Sequence, residues 1–229
     1  PGSYTYATRP NMADKPVGYV SYFDAMRFVN WLHNGQGDGD TETGAYTIGS
    51  GLDEVRSAGA RFWLPSEDEW YKAAYHQPAS DGGDSDGYWL YPTASNTAPA
   101  VAVANAVGDV DNPGTGVANH DAGADWNGLD GHLTTVGSAG PESASFYGTF
   151  DQAGNAWEWN EAVTGSIARS IRGGAFRLEA ESLQSGFSAN VRPAEEFDDV
   201  GFRVATVPEP SGATLVLAIV GLAGCKQRR

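Results

Sequence analysis

The stretch Tyr147-Gly148-Thr149-Phe150-Asp151-Gln152-Ala153-Gly154-Asn155-Ala156-Trp157-Glu158-Trp159-Asn160 decides how this chain is read. Two tryptophans flank a glutamate, and a Gly-Asn pair stands just ahead of them. By itself the composition suits an aromatic-rich core turn. Its neighbours ask for more. Upstream lie Pro16-Val17, Val20-Ser21-Tyr22, Asp24-Ala25 and Trp31-Leu32, then the run from Arg61 through Phe62-Trp63-Leu64-Pro65-Ser66 to Trp70, with Ala73-Ala74-Tyr75 behind it. Closer in comes Thr134-Thr135-Val136-Gly137-Ser138. Downstream are Arg172-Gly173-Gly174 and Gly201-Phe202-Arg203-Val204-Ala205.

Two of these segments predict helices. Ser21 with Asp24 reads as a capping box, followed by Ala25, Phe28, Val29 and Leu32 at helical spacing and by a stop at His33-Asn34-Gly35. Ser66 with Glu69 reads as a stronger one, and its acidic first turn suits the helix dipole. Trp70, Ala73 and Ala74 form the expected buried stripe. Short strands are expected at 170–176 and 200–206. Residues 34–59 and 78–148 are rich in Gly, Asp, Asn, Ser and Thr and read as long loops with short strands, which bound ions or function commonly hold in place.

Composition narrows the function. The chain has 229 residues with seven Trp, ten Tyr and nine Phe, enough to bury a core. The formal charge of −15 repels nucleic acid and anionic lipid, so nucleic-acid binding is excluded. Cys225 is the sole cysteine, which rules out a disulfide within the chain. His33, His76, His120 and His132 are scattered. Asp109-Val110-Asp111-Asn112-Pro113-Gly114 opens like an EF-hand loop, but His120 stands where a bidentate glutamate is needed. No phosphate-binding loop, zinc helix or nucleophile elbow is present.

The ordered series from Pro16 to Ala205 resembles the formylglycine-generating, or sulfatase-modifying factor, family. That resemblance implies an α+β fold, a compact domain of low regular secondary structure with a C-type-lectin-like core, spanning residues 1–206. The family's first strand and an early Glu-Val-Thr-type motif have no counterpart, so the resemblance implies that part of the domain precedes Pro1. It also implies two calcium ions as cofactors. One cage would take Asp151 and Glu158 carboxylates with Gly154 and Ala156 carbonyls. The other would take Asn119 and Asp130 side chains with His120 and His132 carbonyls, Asn105 being a rival for Asn119. Oxygen donors of this kind are what a hard cation prefers.

Members that make formylglycine carry two copper(I)-binding cysteines after the paired glycines. Counted from Gly173-Gly174, those positions hold Leu178 and Leu183. Leucine offers no sulfur to a soft ion, so no copper is expected. Arg177, Glu179, Glu181 and Arg192 read as an exposed salt-bridged loop or, alternatively, a polar pocket.

Residues 207–229 form a separate segment. Pro208-Glu209-Pro210 precedes an apolar run from Gly212 to Cys225 and a basic tip, Lys226-Gln227-Arg228-Arg229. Fourteen residues make a helix about 21 Å long, short of a bilayer core. The order resembles the PEP-CTERM sorting signal, which implies an exported chain, transiently anchored and processed by an exosortase-type membrane enzyme, in the cell envelope or extracellular matrix. The combined expectation is a calcium-stabilised, non-catalytic domain binding a surface glycan or protein partner. The alternative is a formylglycine-generating-type oxidase or another enzyme on the same scaffold.

Overall fold

The computed structural model describes residues 8–207; the apolar C-terminal segment expected at 212–225 lies outside them. Ser21 caps α1 (Tyr22–His33) and Ser66 caps α2 (Glu67–Tyr75), each with both halves of the capping box in place. Between them runs β1 (Phe62–Trp63). After α2 come β2 (Ala100–Val101), β3 (Val117–Ala118), β4 (Trp157–Thr164), β5 (Ala168–Arg172), β6 (Ala189–Val191), β7 (Val200–Phe202) and β8 (Ala205–Thr206). Six of these eight strands have three residues or fewer. The expectation of a mixed helix-and-sheet fold with little regular structure therefore holds.

The central sheet has the order β6-β5-β4-β7. β4 pairs antiparallel with β5 and parallel with β7. The strand expected over 170–176 stops at Arg172, because Gly173 (φ 98°) and Gly174 (φ 74°) turn the chain away. In the expected 200–206 strand, β7 and β8 are separate and pair with different partners, β4 and β1. The long β4 begins at the first tryptophan of the deciding stretch, where a turn gives way to strand.

α1 packs its Tyr22, Ala25, Met26 and Val29 against Trp157, Trp159, Ile171 and Val200, with Tyr46 and Leu64 closing the cluster. The stripe expected from spacing was Ala25, Phe28, Val29 and Leu32. The helix is rotated from it: Tyr22, Met26 and Asn30 are fully buried, whereas Phe28 is exposed and lies against Trp31 and Phe202. Asn30 turns inward because its side chain has work there, accepting the Tyr46 N–H at 2.8 Å and donating to the Thr41 and Tyr46 carbonyls.

Beneath this cluster lies a buried cation. Arg169 (1% exposed) donates Nε to the Gly51 carbonyl at 2.7 Å, pairs with Glu54 at 3.3 Å, and stacks over the Tyr22 ring at 4.5 Å. Glu54 in turn accepts the Gly49 and Gly51 N–H groups. The pair thus ties the otherwise irregular 49–54 loop to β5. Arg169→Met strands the Glu54 carboxylate in the core and is expected to cost about 3–5 kcal/mol in urea unfolding, with the Glu54→Gln/Arg169→Met double variant recovering part of that loss.

Candidate metal centre

Residues 151–155 are wound tightly. Asp151 (φ 58°), Gly154 (φ 75°) and Asn155 (φ 65°) all have left-handed backbone conformations. At Gly154 the reason is contact: a Cβ there would meet the Asn119 carbonyl oxygen at 2.1 Å. The Gly154 N–H donates to the Gly173 carbonyl at 2.7 Å and the Asn155 N–H to that of Asn119 at 2.8 Å. The Asn155 side chain accepts the Thr134 N–H at 2.9 Å and an Asn119 Nδ2 hydrogen at 3.2 Å. Its own carbonyl accepts from Phe176 N–H. Three segments distant in sequence, around Asn119, Thr134 and Gly173–Phe176, are thereby held to one turn.

Asp151, Ala156 and Glu158 come together around a cavity of ≈ 180 Å³, also lined by Phe150, Asn155 and Arg203. Gly154, the remaining expected ligand of this cage, is not among the lining residues. Glu158 Oε2 accepts the Trp70 indole N–H at 2.7 Å, and both Glu158 oxygens are gripped by the Arg203 guanidinium. Arg203 stood out in the sequence only as part of the Gly201–Ala205 motif; its pairing with a glutamate 45 residues earlier had no sequence signal. Asp151 Oδ2 accepts the Gly137 N–H at 2.7 Å. Among the described residues no cation lies within ion-pair distance of Asp151. Burial raises its pKa above the usual aspartate range, opposed by the Gly137 N–H and Arg203 and assisted by the Glu158 charge.

Asp151, Glu158 and Arg203 together carry two negative charges and one positive. The oxygen donors and the residual charge fit a divalent cation, which would share Glu158 with Arg203.

The other expected ligand group is only partly assembled. Asn119 is buried, and its Nδ2 donates to the His132 carbonyl at 2.8 Å. Its Oδ1 is buried with no hydrogen-bond partner, as expected of an oxygen donor that faces an ion. His120 is buried as well; its carbonyl accepts the Gly123 N–H and its ring approaches the Pro99 carbonyl at 3.2 Å. Asp130 (φ 54°) lies at the surface and is exposed. The His132 ring stacks on Phe176, and burial lowers its pKa. The rival Asn105 instead binds the Val107 and Asp109 N–H groups through its side chain, closing a local loop. Among the described residues no three His, Asp or Glu side chains converge as a metal cluster. Backbone carbonyls would have to complete either calcium site.

The positions after Gly173-Gly174 do a different job. Leu183, fully buried, packs with Tyr91, Ala118 and Ala153, and a Cβ on Gly174 would meet its Cδ2 at 2.5 Å. Leu178 turns to the main core instead. The two side chains therefore belong to separate apolar clusters. Arg177 pairs with Asp198 at 2.8 Å and lies over the Phe176 ring; among the described residues it has no ion pair to Glu179 or Glu181, the acids grouped with it from sequence.

The family described as the sulfatase-modifying factor enzyme 1-like domain matches residues 3–207. No curated protein matches the chain. Among solved structures, Treponema denticola variable protein 1 is 20% identical with a TM-score of 0.56, covering 90% of this chain and 76% of its own. CarF is 24% identical with a TM-score of 0.51 over 86% of this chain and 69% of CarF. PvdO from Pseudomonas aeruginosa is 18% identical with a TM-score of 0.50 over 85% and 63%. At these identities the likeness is one of fold.

The raised Asp151 pKa fixes a sign. A group whose folded pKa is raised favours folding below its unfolded pKa, and that contribution is lost as pH rises through the folded value. In metal-free protein at neutral pH, Asp151→Asn is therefore expected to raise the thermal midpoint, and the gain should vanish when the pair is compared in acid below the aspartate range. A lowered midpoint at neutral pH would mean that the ionised carboxylate is already well compensated.

Proposed function

The chain belongs to the sulfatase-modifying factor enzyme 1-like family, and from that premise we propose that it is a calcium-stabilised, non-catalytic member that binds a glycan or protein partner at the cell surface. The observation that carries this reading is the packing at Leu178 and Leu183. Where the family's oxidases place copper-binding sulfur, this chain has two leucines in different clusters, Leu183 fully buried and Leu178 half-buried against the main core.

Calcium is supported by the Asp151 carboxylate, which has no ion-pair partner among the described residues, and by the orphaned Asn119 oxygen. Asp151, Ala156 and Glu158 would hold one ion, with Gly154 as a further carbonyl donor. Asn119 and the His132 carbonyl would hold the other, with His120 and Asp130 completing it. The ions would contribute charge balance and would cross-link loops that carry little regular structure.

Export and envelope location rest on the sequence order after Val207, read as a sorting segment cleaved by an exosortase-type membrane enzyme near Pro208-Glu209-Pro210. Among the described residues no helix is long and apolar enough to cross a membrane.

Calcium titration of the purified protein, followed by thermal unfolding and bound-metal analysis, tests the proposal. The midpoint is expected to rise with calcium, and a free concentration a hundredfold above Kd should add about 2.7 kcal/mol. Asp151→Asn should abolish at least one equivalent of bound metal. A flat titration with no bound metal would remove calcium from the proposal. Copper-dependent conversion of a cysteine peptide to formylglycine would overturn the non-catalytic reading.

A further inference from the structure

Two large aromatic side chains stand at the tip of a tight turn. Gly148 N–H closes onto the Ser145 carbonyl at 2.9 Å, leaving Phe146 and Tyr147 between them 40% and 47% exposed. Turn tips favour small or polar residues, so this placement asks for a reason. The turn is also held firmly. The Ser145 and Thr149 hydroxyls meet at 2.7 Å, and Thr149 engages Gln152 beneath α2.

The Tyr147 hydroxyl lies 2.7 Å from Nδ1 of His76, the residue that caps α2. The two ring planes are within 10° of parallel, with centroids 5.9 Å apart. A hydrogen bond at an imidazole nitrogen lies close to the ring plane. Imidazole and phenol thus lie side by side with nearly parallel planes, hydrogen-bonded into one aromatic surface two rings long. Tyr88 supports it from the side, edge-to-face with His76 at 5.0 Å. Tyr147 also walls a groove of ≈ 290 Å³ whose remaining lining is Glu69, Lys72 and Ala73 of α2.

We propose that this platform binds a neutral hexopyranose polymer. A flat aromatic face matches the C–H face of a sugar ring, and the imidazole, phenol and Lys72 ammonium at its edges match the ring hydroxyls. The hydrogen bond holds the rings in place beforehand, which lowers the ordering cost of binding. A protein partner's hot spot is met by an enclosed pocket, whereas these rings are open and level. The overall charge of −15 disfavours acidic polymers. The proposal rests on the binding-domain reading above and places the ligand on side chains that are not candidate cation ligands.

Native gels containing dextran, mixed-linkage β-glucan, galactomannan or alginate provide the test, run with the full chain in excess calcium. Retardation by at least one neutral polysaccharide is expected. Tyr147→Ala should weaken it about tenfold, and Tyr147→Phe, which keeps the ring, about threefold or less. Tyr19→Ala, at an exposed tyrosine elsewhere, should leave it unchanged. Thermal unfolding checks each variant, and His76→Ala carries the same expectation as Tyr147→Ala should the latter not fold. Absence of retardation by any neutral polysaccharide, retardation by alginate alone, or unchanged retardation in folded Tyr147→Ala overturns the assignment. The binding-domain reading falls separately, on the formylglycine assay.

Discussion

The Asn155 carboxamide, set on a left-handed turn, is the constraint on which the rest of this structure depends. Its backbone and side chain together hold Asn119, Thr134 and Phe176, and Gly154 beside it holds Gly173. These contacts take the place that long strand ladders have in more regular folds. Gly154 cannot carry a side chain without pushing the Asn119 carbonyl away. The start of β4, the candidate cage and the leucine-bearing segment after Gly174 are therefore positioned by one turn. Displacing it would move all three together.

A second principle runs through the body of the domain: in a strongly acidic chain the arginines act as cross-links. Arg169 pairs with Glu54, Arg172 with Glu67, Arg203 with Glu158, and Arg56 bridges Glu69 and Glu161. Several of these acids already serve the backbone. Glu69 caps α2 through the Ser66 N–H, and Arg56 helps hold its pKa down to about 2. Glu54 closes its own loop through two glycine N–H groups. Arg169 and Arg56 thus connect locally organised acids, Glu54 and Glu69, to the distant strands β5 and β4. That is how loops with few apolar residues are fastened to a small sheet.

The elements legible in the sequence were those with local signals. Both capping boxes fixed helix starts to the residue, since the cap and its partner lie three positions apart. The loop-rich middle was legible in its Gly, Asn and Asp content, and the family in the order of its motifs. What escaped was set by tertiary contact. Apolar spacing placed Phe28 in the buried stripe of α1, yet Asn30 goes inside because the Tyr46 backbone needs its amide. The 170–176 strand ends early because two glycines reverse the chain. In the cage, the proximity of Asp151 to Glu158 followed from their motif, whereas the grip of Arg203 and Trp70 on Glu158 comes from segments 45 and 88 residues away. No local pattern encodes such a meeting.

The central strand has a consequence for the order of events when the chain first acquires its structure. β4 has β5 on one side and β7 on the other, and the Trp159 indole reaches back 139 residues to the Val20 carbonyl. β1 waits for β8, with Phe62 opposite Thr206. Some early segments thus find partners among late ones. A chain emerging from the ribosome would have to expose residues 200–206 before the core could close, and such distant pairing is slow. Until then α1 and α2 would have their caps but no sheet to rest on. The architecture thus makes folding of the core wait for residues 200–206 and leaves an interval during which the nascent chain remains open.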